Sequence, residues 1–334
     1  MNSVFEGKKI LFIAPKFFNY DVIIKQKLES LGAEVYLFDD RPFNSAFIKG
    51  LIRINRKLLS FYINKYYNNI LYKSKSVIYD YVFFLKGESI TENIIAKFRD
   101  KYSEAKFILY LWDSVKNNNN SGIYKYFDKI LTFDKGDALK FEEFVFRPLF
   151  YFDIYKKIAQ AEKQDFLYKF LFIGTAHVDR ITILKRIVQQ VKGESNSFRI
   201  VLYMPSKILF WYRKLFDRNF RGVKISEIEF TPVGHDELVE LMKQSSIVID
   251  IQHPKQTGLT MRTLEVLGAK KKMITTNAEI EKYDFFNTDN ICVVDRYNPF
   301  VPQDFLESDY HEIPFNIYDK YSLESWLVDC FIGL

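Results

Sequence analysis

The chain has 334 residues, 48% hydrophobic and 27% charged, with 48 Lys+Arg against 42 Asp+Glu and a formal net charge of +6. This apolar share excludes a disordered chain, and 13 Gly with 9 Pro exclude a fibrous or low-complexity one. The length suits two domains, each able to bury its own core, and 33 Phe with 22 Tyr predict ring-rich interiors and contact surfaces.

In chain order, residues 9–14 (KILFIA) read as a buried strand, followed by a helix through Ile23, Ile24, Leu28 and Leu31 that Gly32 closes. Strands are predicted at 34–38, 81–85, 107–111, 129–133 and 144–146, with helices or loops between them. Residues 153–169 are polar and helix-prone and read as a linker. The pattern then restarts with a strand at 170–173, a helix through Ile181, Leu184 and Ile187, and strands at 199–204, 227–230 and 247–251. A helix at 260–267 and strands at 272–276 and 291–294 follow, and 322–331 form a last amphipathic helix. Alternating strands and helices imply parallel βαβ units. The expected fold class is α/β, with two doubly wound Rossmann-like domains facing across a cleft. These are residues 1–155 and 165–320, with 321–334 packing back on the first; ligands bind beyond the carboxyl ends of such strands.

Cys292 and Cys330 stand in no metal-type or redox-type spacing, which fits a reducing cytoplasm. The start MNSVFEGKKILFIAP has a first-strand layout rather than that of a signal peptide. No P-loop, G-x-S-x-G or paired Cys/His cluster occurs, and the first βα loop lacks G-x-G-x-x-G, which disfavours a nicotinamide dehydrogenase.

The most informative segment is HPKQTGLTMRTLEVLGAKKKMITTN, residues 253–277, which reads as strand end, loop, helix, glycine turn and strand. Thr260 suits an N-cap, and Gly258 allows the loop backbone to approach a ligand closely. The free N–H groups and dipole of the helix start make an anion site, to which Arg262 could add a bidentate phosphate contact. Glu265 lies three residues on, along the same face, suited to accept hydrogen bonds from ribose hydroxyls. An ordinary solvated Arg–Glu pair on an exposed helix is the plain alternative.

On these residues the sequence resembles nucleotide-sugar glycosyltransferases of the GT-B type, in the group 1 families and nearest to the CgeB-like branch. In that pattern the glutamate holds the donor ribose, while the loop and helix start hold the pyrophosphate. Gln256, Thr257, Gly258, Arg262 and Glu265, with Gly268 and Thr275–Thr276, stand where the pattern puts its residues. The chain departs from the commoner E-x7-E form, with Lys255 and Gln256 near the place of the first acid.

Other positions are placed to join the site. Gly174, in GTAHVDR, reads as a turn glycine after a strand, and Arg180 could hold the other side of a diphosphate. His177 is either a donor to phosphate or sugar or a plain loop histidine, and His253 ends a strand toward the expected cleft. His235 reads as structural and His311 takes no role. Asp113, closing a buried run, suits a general base on an acceptor hydroxyl or a cap on the next turn. Glu88 is the rival base, and Lys86 beside it at another strand end is expected to bind acceptor. The resemblance implies that Asn19 and Tyr20, after the first strand, bind acceptor.

No D-x-D triplet occurs, so no metal or other cofactor is expected: helix dipole and arginines would neutralise the leaving diphosphate. From Arg41 to Tyr79 there are eight bases and no acid, interleaved with apolar and aromatic residues at helical spacing; the rest of the chain sums to −2. A second cluster, 207–224, pairs Lys207, Arg213, Lys214, Arg218, Arg221 and Lys224 with Phe210, Trp211, Tyr212, Phe216 and Phe220. Wet faces of ordinary helices would explain the spacing but not the missing acids; an anionic membrane surface explains both, and no nucleic-acid motif accompanies them.

The expected function is therefore metal-independent glycosyl transfer from a nucleoside-diphosphate sugar. The acceptor would be a hydroxyl of a bacterial surface glycan or lipid-linked molecule, such as a lipopolysaccharide precursor. The expected place is the cytoplasm, peripheral on the inner membrane face. A GT-B nucleotide-sugar epimerase or a non-catalytic nucleotide-sugar or glycan-binding protein are the alternatives. Glu265→Ala is expected to cost donor affinity while leaving the fold intact.

Overall fold

The computed structural model describes residues 4–42, 60–117, 120–161, 166–177, 179–193, 197–254 and 258–334. The chain divides into two compact units, Met1–Pro148 with Leu323–Leu334, and Leu149–Ser322.

In the first unit β1 (Lys9–Ala14) leads to α1 (Tyr20–Ser30) and β2 (Glu34–Asp39), and then to α2 (Ser60–Lys73) and β3 (Tyr81–Leu85). Next come α3 (Glu92–Lys101), β4 (Lys106–Leu111), β5 (Lys129–Thr132), α4 (Lys135–Lys140) and β6 (Phe144–Phe146). The sheet order is β2-β1-β3-β4-β5-β6, with every neighbouring pair parallel. Ile10, Leu11, Phe12, Ile13 and Ala14 are fully buried, which is why β1 is an unbroken apolar run: helices cover both faces of a parallel sheet.

In the second unit α5 (Asp153–Gln160) precedes β7 (Tyr168–Thr175), α6 (Arg180–Val191), β8 (Phe198–Tyr203), α7 (Lys207–Phe216), α8 (His235–Lys243) and β9 (Ser245–Asp250). Then follow α9 (Met261–Gly268), β10 (Lys272–Thr275), β11 (Ile291–Val293), α10 (Gln303–Glu307) and α11 (Phe315–Lys320). The parallel sheet runs β11-β10-β9-β7-β8.

Two local readings change. Residues 227–230 do not form a strand: Ile225–Glu227 is a 3-10 turn, and only a lone bridge joins Glu229 to Tyr203. The expected linker at 153–169 begins with α5, which belongs to the second unit. Tyr155 is buried there, and Lys156 Nζ donates to Asp319 at 3.0 Å, so the helix is structural rather than a tether.

The last helix, α12 (Leu323–Phe331), belongs to the first unit. Its buried Trp326 meets Tyr110 edge-on at 4.7 Å, and Phe331 meets Phe5 at 5.1 Å and Phe83 at 5.3 Å. Arg147 pairs with Asp329 at 2.8 Å. A ring as large as Trp326, fully enclosed, contributes about 3–5 kcal/mol by the cost of its removal.

In each sheet the chain reverses direction of winding once, between β1 and β3 and between β7 and β9. Ligand sites of open parallel sheets form beyond the carboxyl ends of the strands at such points.

Candidate functional site

The carboxyl edge of the second sheet gathers most of the expected donor residues. Asp250 ends β9, and its Oδ2 accepts from Thr260 Oγ1 at 3.0 Å and Thr263 Oγ1 at 2.8 Å. Thr260 in turn caps α9, its Oγ1 accepting from Thr263 N at 3.2 Å. The start of α9 is thereby pinned to the end of β9, and the first-turn N–H groups that a helix leaves without internal partners are held in one place. Two turns of the same helix stay buried from Thr263 to Gly268.

Glu265 is almost fully buried and accepts from Arg262 Nη1 at 2.7 Å, with side-chain exposures of 2% and 19%. The pair is therefore not a solvated one. A carboxylate taken from water needs partners, and Arg262 supplies one at the edge of the buried region.

Opposite β9, Gly174 lies inside β7 rather than in a turn. A Cβ there would sit 3.2 Å from Arg180 Nη1 and 3.0 Å from the Phe172 ring, so the missing side chain makes room for that guanidinium. Arg180 donates from Nε to the Ile251 carbonyl at 2.8 Å and from Nη1 to the Thr175 carbonyl at 3.1 Å. It braces the ends of two strands and adds positive potential there.

His177 and His253 face each other with ring centroids 5.3 Å apart. Burial, then the charges of Arg180, His253 and Arg213, push His177 down to about 4, so its imidazole is neutral at physiological pH. Its Nδ1 is buried with no hydrogen-bond partner. A neutral ring with an unsatisfied nitrogen suits a hydrogen bond to a ligand oxygen.

Sequence reasoning missed four groups here. Asp250 carried a usable signal, an acid closing an apolar strand. Arg296 carried none: it reaches from the loop after β11 to Asp179 at 2.7 and 2.9 Å and to the Gln252 carbonyl at 3.0 Å. The guanidinium of Arg296 holds Asp179 below the usual carboxylate range. Gln252 donates from Nε2 to the Thr276 carbonyl at 3.1 Å, tying the ends of β9 and β10. Gly258 is buried, and Gln256 and Thr257 lie outside the described residues.

The carboxyl edge of the first sheet brings the other expected residues near one another. Lys86, in the left-handed region at φ 79°, and Gly87, at φ 59°, turn the chain out of β3. Lys86 Nζ pairs with Asp113 at 2.7 Å and with Glu88 at 3.2 Å. Glu88 also accepts from Arg41 Nε at 2.9 Å and is buried. Glu88 is thus buried with two cations upon it, whereas Asp113, paired with Lys86, is partly exposed. Arg41, counted in the basic stretch, is thus an interior residue. Residues 43–59 of that stretch lie outside the described residues; in α2, Ile63, Tyr67, Ile70 and Leu71 are buried while Phe61, Tyr62 and Tyr72 are exposed.

Asp40, unnoticed in the sequence, is fully buried beside Glu88. Its carboxyl accepts from Tyr67 Oη at 2.6 Å and from Glu88 N at 2.8 Å, and burial pushes it up to about 7. Asn19 has φ 60° and makes no side-chain cap to α1, and the Tyr20 ring stacks on Trp112 at 6.0 Å. Phe17 and Phe18 are half exposed beside it. Among the described residues no group of three or more His, Cys, Asp or Glu side chains is placed to hold a metal ion.

Solved structures similar to the whole chain share this arrangement of sheets and helices. The chain superposes on a glycosyltransferase from Rickettsia africae with TM-score 0.55 and 14% identity, covering 98% of this chain and 95% of that one. The fold is GT-B. Anabaena HepE in complex with UDP and glucose gives TM-score 0.54 and 11% identity, covering 98% of this chain and 100% of that one. A further match, of TM-score 0.55 and 13% identity, is the Methanocaldococcus jannaschii UDP-GlcNAc 2-epimerase in complex with UDP-GlcNAc and UDP, over 96% and 98% of the two chains. No family model and no curated protein matches the chain.

Proposed function

We propose that the protein is a glycosyltransferase, of the group 1 or CgeB-like kind, acting on a nucleoside-diphosphate sugar. The observation that carries this reading is the buried Arg262–Glu265 pair on a helix whose start is fixed to a strand end by Asp250 and Thr260. Glu265 would accept hydrogen bonds from the ribose hydroxyls. Arg262 and the first-turn N–H groups of α9 would meet the diphosphate, with His177 and His253 donating hydrogen bonds and Gly258 giving close approach. Gln256 and Thr257 complete that loop in the proposal.

The first unit would hold the acceptor, with Asn19, Tyr20 and Lys86 around its sugar or lipid-linked hydroxyl. Asp113 takes the hydroxyl proton as the oxygen bonds to the anomeric carbon, and the bond to the diphosphate breaks with its electron pair on the leaving oxygen. Lys86 Nζ, 2.7 Å away, holds Asp113 in place. Charge on the leaving group is then met by Arg262 and the helix start, without a metal cofactor. The basic segment 41–79 would bring the enzyme to the inner face of the cytoplasmic membrane, where surface-glycan and lipopolysaccharide precursors carry lipid anchors; no nucleic acid is involved. Among the described residues no helix is long and apolar enough to cross a membrane.

A thermal-shift series with UDP-, GDP-, CMP- and dTDP-sugars tests the reading, UDP-sugars first because similar folds hold UDP. A cognate donor at one hundred times its Kd adds roughly 2.7 kcal/mol of stability. No stabilisation by any of the four sinks the proposal. Release of an epimerised nucleotide sugar moves the reading to the epimerase, and binding without turnover moves it to a binding protein.

A further inference from the structure

The apolar face of α7 points the wrong way for a soluble helix. Ile208, Trp211, Tyr212, Leu215 and Phe216 recur at i, i+3, i+4, i+7 and i+8, the stripe that an amphipathic helix normally buries. Here they are 83, 54, 60, 76 and 74% exposed, and Phe210 on the opposite side fills the core. The helix is anchored from below by Phe210 and by the Ser206 cap, which accepts from Leu209 N at 3.1 Å. It is therefore held in place with its apolar side outward. Five large side chains in one stripe make a patch of the kind that soluble surfaces avoid.

The charges around the stripe identify its occupant. Residues 207–224 contain six bases and one acid. The acid, Asp217, is spent locally: it pairs with Arg213 at 3.4 Å and accepts from Asn219 N at 2.9 Å. Lys207, Arg218, Arg221 and Lys224 are exposed. A second copy docking on this face by a twofold axis would set these cations against their own counterparts, which costs affinity. An anionic lipid surface meets both features at once, with aromatic and aliphatic side chains entering the acyl boundary and bases meeting headgroup phosphates. Trp and Tyr are the residues that such an interface favours.

We infer that α7 lies in the plane of an anionic membrane and holds the second unit there through Ile208, Trp211, Leu215 and Phe216. This element is distinct from the 41–79 segment, and the inference stands without the donor chemistry. A helix of 10 residues is about 15 Å long and cannot span a bilayer, so the contact is superficial and reversible.

The test is flotation of the full-length protein with phosphatidylcholine vesicles, with and without phosphatidylglycerol, together with Trp211 emission and its quenching by brominated acyl chains. The wild type should float with phosphatidylglycerol vesicles at low salt, fall away as salt rises, and show quenching. Ile208→Glu with Leu215→Glu should weaken binding at least about tenfold, as should the milder Ile208→Ser with Leu215→Ser. Both positions are too exposed to affect folding, so Tm and any nucleotide-sugar thermal shift should match the wild type. Three results would overturn the inference: no flotation of the wild type at low ionic strength, undiminished flotation of both variants, or lipid-free self-association that the same substitutions abolish. A lost nucleotide shift with intact flotation would count against the donor site alone.

Discussion

Arg262 and Glu265 form a 2.7 Å ion pair in which the carboxylate is sealed and the guanidinium stays partly open. Taking away the acid therefore removes the carboxylate that Arg262 pairs with at the buried side of α9. Glu265→Ala should cost about 1–3 kcal/mol of stability as well as donor affinity, which revises the expectation of an intact fold. Glu265→Gln keeps the shape and one acceptor oxygen, so it should retain most of the stability while still losing donor affinity about tenfold or more. Urea unfolding beside nucleotide-sugar titration separates the two effects.

Asp113 and Glu88 should part company in kinetics. Asp113→Asn is expected to lower kcat by about a hundredfold or more with unchanged donor Kd, as loss of a general base does. Glu88→Gln loosens Arg41 and Lys86 instead, so it should lower stability along with activity. If Glu88→Gln proves fully stable and as inactive as Asp113→Asn, the roles are reversed.

His177 gives a pH signature. Its folded value lies near 4, below the unfolded 6.5, so the unfolded chain takes up the proton first as pH falls. The stability that neutral His177 contributes is therefore complete above about 6.5 and is lost as pH drops toward about 4. Wild type should lose more stability than His177→Gln across that window in parallel denaturant titrations. Proton NMR should show the His177 imidazole still neutral at pH 6.

Gly268 closes α9 against the Tyr151 ring, where a Cβ would come within 2.5 Å of ring carbon, and its carbonyl accepts from Tyr318 Oη at 2.6 Å. Gly268→Ala should cost about 1–3 kcal/mol by overpacking, measured as a lower denaturation midpoint. Gly174→Ala meets the Phe172 ring at 3.0 Å and Arg180 Nη1 at 3.2 Å, longer approaches than at Gly268, and should cost less. Equal losses at the two glycines would contradict this account.

The division into two parallel-sheet units was legible because unbroken apolar strands separated by helical periods have few other solutions. The Thr260 cap, Arg262 and Glu265 were legible for a similar reason: a cap, a basic first turn and an acid three residues later are neighbours in sequence. The α5 segment and the false strand at 227–230 were not, since polarity and short apolar runs do not reveal which residues will find a partner. Arg296 reaching Asp179, Arg41 entering the interior to meet Glu88, and Asp40 closing on Tyr67 all join residues far apart in the chain. Only the fold could bring them together.

The two charged clusters mark the same boundary. Composition alone located the net charge of +6 in a stretch of eight bases and a smaller group at 207–224. It could not say that Arg41 is an interior ion-pair partner or that α7 turns its apolar stripe outward. Periodicity states that a helix has an apolar face; which side of it meets solvent is decided by the residue that packs beneath, here Phe210, and that is a property of the tertiary structure.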